Sequence, residues 1–227
     1  MVAPAVRTFG SGTGAKGSQL MLRHEERRFE IPVDDAVALE AAIYAPAAPR
    51  FVALVLHPHP QYGGDMDNHV VSAMCDALAE FGATLRFNFR GTGRSSGSHD
   101  GGRAEQDDAL TAVAVARHQV PNLPLLLTGY SFGAQIAAAV CDRAEASGLI
   151  LVSPPLAYGG IANIVSSAPV LAIAGDRDPV CPDGMLRALD SETTEVRIVP
   201  GADHSWLNGI GEMVAAIRSF GLKFHRS

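Results

Sequence analysis

Gly129-Tyr130-Ser131-Phe132-Gly133 sets a serine between two glycines, where the apolar run Leu125-Leu126-Leu127 gives way to the alanine-rich Ala134-Gln135-Ile136-Ala137-Ala138-Ala139. That order reads as strand, sharp turn and helix. A serine at such a turn takes strained backbone angles, and glycines without a Cβ let strand and helix come close enough to hold it there. The hydroxyl then projects at the top of a sheet beside the positive end of a helix. The N–H of Phe132 is aimed where an oxyanion would form. The chemistry this suits is nucleophilic attack on a carbonyl. A second match to the same pattern, Gly93-Arg94-Ser95-Ser96-Gly97, also follows an apolar run, but Gly-Ser-His-Asp-Gly-Gly comes after it where a helix should begin. Ser95 is therefore read as a loop serine.

A serine hydroxyl is a poor nucleophile at neutral pH, so it needs a base, and the base needs a partner that fixes its tautomer. His204 sits in Gly201-Ala202-Asp203-His204-Ser205-Trp206, a loop opened by glycine after the last expected strand. It is the candidate base. The other histidines, His24, His69, His99, His118 and His225, read as surface or satisfied core residues. Four acids lie near in sequence: Asp176, Asp178, Asp183 and Asp203. Asp203 adjoins the base and would point elsewhere, Asp183 reads as a helix cap, and Asp176 as a brace of its turn. The Gly-x-x-Asp spacing in Gly175-Asp176-Arg177-Asp178-Pro179 favours Asp178.

The second oxyanion donor is expected from the loop His57-Pro58-His59-Pro60-Gln61-Tyr62-Gly63-Gly64. Proline has no N–H, so His59 is the preferred donor and Gln61 the next. His57 and His59 also suggest a metal pair, but no third ligand stands at a suitable spacing. Gln61, Tyr62, Tyr130 and Trp206 are the candidate substrate contacts, with Phe132 beside them.

These loops need a scaffold. Short strands over 29–33 and 38–44 flank an Asp34-Asp35 turn, giving a hairpin at one edge. A purely apolar run at 51–56 reads as a strand buried on both faces, and 83–89, 125–130, 149–152, 170–174 and 195–199 read as the strands that follow. Helices are expected over 68–81, 104–119, 132–146, 183–189 and 209–220. The acids Glu105, Asp107 and Asp108 fall at a helix start, where negative charge complements the dipole. Strand and helix alternate from residue 51, so the fold class is α/β, with a mostly parallel central sheet and helices on both faces. Each polar loop of interest follows the carboxyl end of a strand, where such sheets bind ligands.

The 227 residues, 47% hydrophobic, suffice for one domain, here 23–227. Residues 1–22, rich in Gly, Ala, Ser and Thr, read as a flexible N-terminal extension. Gly12-Thr13-Gly14-Ala15-Lys16-Gly17 matches a nucleotide-binding pattern, but no strand precedes it. A net charge of −6 argues against nucleic acid or an anionic membrane as partner, and three scattered cysteines suit a reducing cytoplasm.

Five stretches, HPHP with two following glycines, NFRG-x-G-x-S, G-Y-S-F-G, GDRDPV and GADH, occur in this order between Leu54 and Trp206. In them the chain resembles the small lidless bacterial hydrolases of the α/β-hydrolase superfamily. The resemblance implies an α/β-hydrolase fold without a lid domain and a Ser131-His204-Asp178 triad. It also implies carboxylic-ester hydrolysis without a cofactor but says little about the substrate; the open site left without a lid suits a small-molecule ester. A thioesterase or a lactone (dienelactone) hydrolase would use the same residues, and a non-catalytic interaction module could use the same fold. Only about seventeen residues separate Val152 from Val170, too few for a helical lid.

Overall fold

The computed structural model describes residues 7–8, 26–159, 161 and 166–224. Among these, one sheet of nine strands forms the centre: β1 (Arg7–Thr8), β2 (Arg27–Pro32), β3 (Ala38–Tyr44), β4 (Val52–Leu56), β5 (Ala83–Phe87), β6 (Leu125–Tyr130), β7 (Gly148–Val152), β8 (Val170–Gly175) and β9 (Thr194–Val199). Their order is β1-β2-β3-β5-β4-β6-β7-β8-β9. The six strands from β4 to β9 run parallel, and β1 to β3 are antiparallel at one edge. Five helices cover it: α1 (His69–Ala79), α2 (Ala104–Gln119), α3 (Phe132–Val140), α4 (Asp183–Arg187) and α5 (Ile210–Gly221).

Period-two alternation divides each apolar strand between two cores. In β4, Val52, Leu54 and Leu56 face the layer of α2 and α3, while Ala53 and Val55 face α1 and α5. In β6, Leu125 and Leu127 join the first core and Leu126 and Tyr130 the second. Burial on both faces selects apolar side chains, which is why β4 is an uninterrupted apolar run and β6 admits one polar residue, the buried Thr128.

The chain passes from β4 to β5 on one side and then returns past β4 to β6 on the other. The order therefore reverses beside the carboxyl ends of β4 and β6, which opens a crevice there.

Three expectations need correction. Arg7 and Thr8, inside the segment expected to be a flexible extension, form a strand against Glu30 and Phe29. The rest of 1–22, with the glycine pattern at 12–17, lies outside the described residues, as do His24 and His225. The helix expected over 132–146 ends at Val140, because the chain turns through Glu145 at φ 46° and the Ala146 N–H closes back on Cys141 O. Asp183 does not cap α4: the cap position is Pro182, and Asp183 pairs instead with Arg187 one turn on.

Candidate active site

The strand-to-helix turn at Ser131 is built by close approach. A Cβ on Gly129 would lie 2.2 Å from the Gly133 carbonyl, and one on Gly133 would lie 2.2 Å from Leu56 O. Both positions therefore exclude any side chain, and α3 starts directly against the ends of β6 and β4. Ser131 between them takes φ 54°, ψ −117°, a strained conformation held by its N–H bond to Val152 O at 2.9 Å.

Ser131 Oγ lies 3.0 Å from His204 Nε2, and His204 Nδ1 lies 3.0 Å from each oxygen of Asp178. The three come from the ends of β6, β8 and β9. The acid and base loops are locked together at Gly175, where a Cβ would fall 2.0 Å from Ala202 O. Asp178 is buried, and its Oδ1 also accepts from the N–H groups of Val180 and Cys181 at 2.9 and 3.0 Å. Burial pushes its pKa up, but bonds from His204 and from those amides outweigh it and hold the carboxyl below its ordinary range. The other acids are occupied elsewhere. Asp176 accepts from Gly201 N–H at 2.7 Å, bracing the turn, and Asp203 binds Ser205.

The loop after β4 forms the opposite wall. No described residue accepts a hydrogen bond from the backbone N–H of His59 or of Phe132. The Gln61 N–H, the second choice as oxyanion donor, is taken: it donates to His59 Nδ1 at 3.2 Å. A neutral His59 ring therefore carries its proton on Nε2, at the wall of a cavity of about 630 Å³ that His59 shares with Tyr62, Tyr130, Ser131, Phe132 and His204. Gln61 and Trp206 do not line this cavity, which corrects their reading as substrate contacts. Gln61 points to solvent, and Trp206 is in the core at 1% exposure.

Trp206 has another place in the site. Its Nε1–H donates to Ser153 Oγ at 2.9 Å, and Ser153, at the end of β7, faces Asp178 and favours its charged form. Ser153 and Trp206 both have positive φ, 46° and 56°, so two strained residues back the acid while a third bears the hydroxyl. Tyr130 fixes the base from the other side, donating from its hydroxyl to His204 O. Nothing in the sequence around Ser153 marks this role, because its partner Trp206 lies 53 residues away.

His57 was also missed. It is fully buried, donates from Nδ1 to Pro58 O at 2.7 Å, and accepts at Nε2 from Phe89 N–H at 2.9 Å. Both nitrogens are engaged by the protein, so the ring has no lone pair free for a metal. Burial, aided by His59 and His99 and opposed by the bond to Pro58, brings its pKa down to about 4. The unfolded chain takes up this proton near pH 6.5 and the folded chain does not until about pH 4, so stability falls as pH drops through that window, by roughly 3 kcal/mol. Urea unfolding of His57→Gln should depend less on pH between 7 and 4.5 than that of the wild type. Equal pH slopes would contradict this.

Two acids expected as plain helix-start residues have inward roles. Of the three, only Asp107 is exposed. Glu105 is buried, accepts from the N–H groups of Asp100 and Gly102 at 2.8 Å each, and lies 2.7 Å from His99 Nδ1. Asp108, also buried, binds the Arg90 guanidinium at 2.6 Å and its backbone N–H at 3.1 Å. Together they hold the loop after β5, which brings the His99 ring to 4.8 Å from His59 and 5.4 Å from Phe132. Ser95 lies in that loop as a structural serine, donating to Asn88 O and accepting from Glu40 N–H.

Known proteins place this arrangement in context. A family model described as an alpha/beta hydrolase domain matches residues 52–210. An uncharacterized protein of Rickettsia prowazekii is 34% identical over 191 residues, 78% of this chain and 79% of its own length. An alpha-beta serine hydrolase homologue from Coxiella burnetii superposes with a TM-score of 0.78 at 31% identity, covering 89% of this chain and 99% of that one. A Xanthomonas campestris serine hydrolase described as having no lid gives 0.79 at 29% identity, covering 90% and 97%. With the family's model matching well over half its length, and a strained serine between the ends of β4 and β7, this chain belongs to the α/β-hydrolase family.

Proposed function

We propose that the protein is a serine hydrolase of small, short-acyl carboxylic esters. Ser131 Oγ attacks the ester carbonyl while His204 Nε2 takes its proton. Asp178 keeps the proton of the neutral imidazole on Nδ1 and stabilises the imidazolium that forms. The N–H groups of Phe132 and His59 stabilise the tetrahedral oxyanion. His204 then returns the proton to the departing alcohol, and water, activated by the same base, releases the acyl group from Ser131. The observation that carries this reading is the continuous contact from Asp178 through His204 to a strained Ser131 Oγ, each step at 3.0 Å. This chemistry needs no cofactor.

The cavity supports the substrate class. Its volume suits a drug-sized molecule. Tyr62 and Tyr158 at its mouth are 88% and 78% exposed, so a long acyl chain would leave the site for water rather than enter a covered channel. Among the described lining residues there is no Lys or Arg, so a carboxylate-bearing lactone or a phosphorylated thioester carrier meets no cation there. This favours neutral esters over the lactone and thioester readings. All three cysteines are buried free thiols, which supports a cytoplasmic setting. Among the described residues no helix is long and apolar enough to cross a membrane.

Hydrolysis of p-nitrophenyl acetate, butyrate and palmitate tests the class. We expect kcat/KM for the two short esters to exceed that for palmitate by at least tenfold. A preference for palmitate, or faster turnover of thioesters or lactones of equal size, would replace the reading.

A further inference from the structure

Two short loops flank the nucleophile and are built alike. One follows β4 and ends in a single 3-10 turn, Pro60–Tyr62; the other follows β7 and ends in Leu156–Tyr158. In the sheet β4 and β7 lie on either side of β6, whose end bears Ser131. Each turn finishes on a tyrosine and is closed by a glycine in the left-handed region, Gly63 at φ 80° and Gly159 at φ 70°. Each glycine N–H returns to the first carbonyl of its turn, Pro60 O or Leu156 O. Prolines precede both tyrosines, Pro58 and Pro60 in one loop and Pro154 and Pro155 in the other, and restrict the backbone further.

Both tyrosines line the cavity, yet they are the two most exposed large hydrophobic side chains among the described residues. Both rings border the cavity, where a bound molecule can reach them, instead of packing into the core. Tyr62 is steadied by the His59 ring, 4.9 Å away and edge-on. The wall beneath adds Phe132 and Tyr130, and no described lining residue is Asp, Glu, Lys or Arg.

We propose that Tyr62 and Tyr158 form a two-sided clamp for a planar, uncharged aromatic group of the ester substrate, which makes them its specificity-determining residues. The inference rests on the ester-hydrolase reading above. A flat ring between two aromatic faces gains contact that a puckered ring of equal size does not.

Benzyl acetate and cyclohexylmethyl acetate make the test, because they share the acyl group, are close in size and release alcohols of similar acidity. We expect the wild type to favour the benzyl ester roughly tenfold in kcat/KM, mostly through KM, as two aromatic contacts would give. In the double variant Tyr62→Leu, Tyr158→Leu this ratio should fall towards one. Both positions are exposed, and a ratio within one preparation is insensitive to the fraction folded. Equal use of the two esters by the wild type, or a ratio that survives in the double variant, overturns the clamp and leaves the hydrolase standing. Failure to hydrolyse either ester by protein that a fluorophosphonate still labels at Ser131 also overturns only the clamp. Failure of both hydrolysis and labelling removes the reading beneath it.

Discussion

Replacing Ser131 by alanine is expected to lower kcat/KM on p-nitrophenyl butyrate by about 10⁴- to 10⁶-fold, the range seen when a triad nucleophile is removed. The loss should fall on kcat, since the hydroxyl forms its bond to substrate only in the reaction. The cavity walls and the free N–H groups of His59 and Phe132 remain to bind the ester. Alanine has the same Cβ as serine, so the turn at φ 54° gains no new clash. The side chain is 8% exposed and makes its hydrogen bond to His204. A melting temperature within a few degrees of wild type would separate lost chemistry from lost fold. Retention of more than about a hundredth of the activity would remove Ser131 as nucleophile.

Asp178→Asn should cost about 10⁴-fold, for a reason that depends on which end of the amide faces the base. The N–H groups of Val180 and Cys181 both point at Oδ1, so the carbonyl oxygen of asparagine must take that place. Its NH₂ is then turned toward His204 Nδ1, which has to accept rather than donate. The imidazole proton moves to Nε2 and faces Ser131 Oγ, and the base has no lone pair for the serine proton. Asp176→Asn is the internal comparison. Its Oδ1 accepts only from Gly201 N–H, a bond an amide oxygen also makes, so kcat/KM should stay within about threefold of wild type. A larger effect at Asp176 than at Asp178 would reverse the assignment of the acid.

How far the sequence revealed this depended on whether a residue's role was local. Ser131 was legible because strand, glycine pair and helix are neighbours in the chain, and Ser95 was separable from it because no helix followed. The sheet was legible from the same cause: strands buried on both faces are mostly apolar, and β4 and β8 carry no polar side chain at all. His204 and Asp178 were singled out from loops at strand ends, and the structure brings the two side chains to 3.0 Å across 26 residues.

What escaped was decided by long-range packing. Trp206 looks like a pocket wall beside His204, but its indole turns inward to meet Ser153, 53 residues away. Glu105 and Asp108 looked like dipole-matching charges on a solvent face. They are buried because Arg90, 18 residues away, satisfies Asp108, and the amides of residues 100 and 102, in the turn just before the helix, satisfy Glu105. His57 reads as half of a metal pair until its two nitrogens are seen to bind Pro58 and Phe89. For Trp206, Asp108 and His57 a partner, and so the side chain's direction, is supplied by a part of the chain that periodicity does not connect to it.

On the function proposed above, the hydroxyl at position 131 is made reactive by the imidazole of residue 204. Treatment of the native protein with a fluorophosphonate, followed by peptide mass spectrometry, reads this out without knowledge of the substrate. One phosphonyl group per chain is expected, on Ser131, with labelling abolished in Ser131→Ala and slowed at least a hundredfold in His204→Ala. A native protein that takes no label, or takes it at Ser95 or another serine, would contradict it.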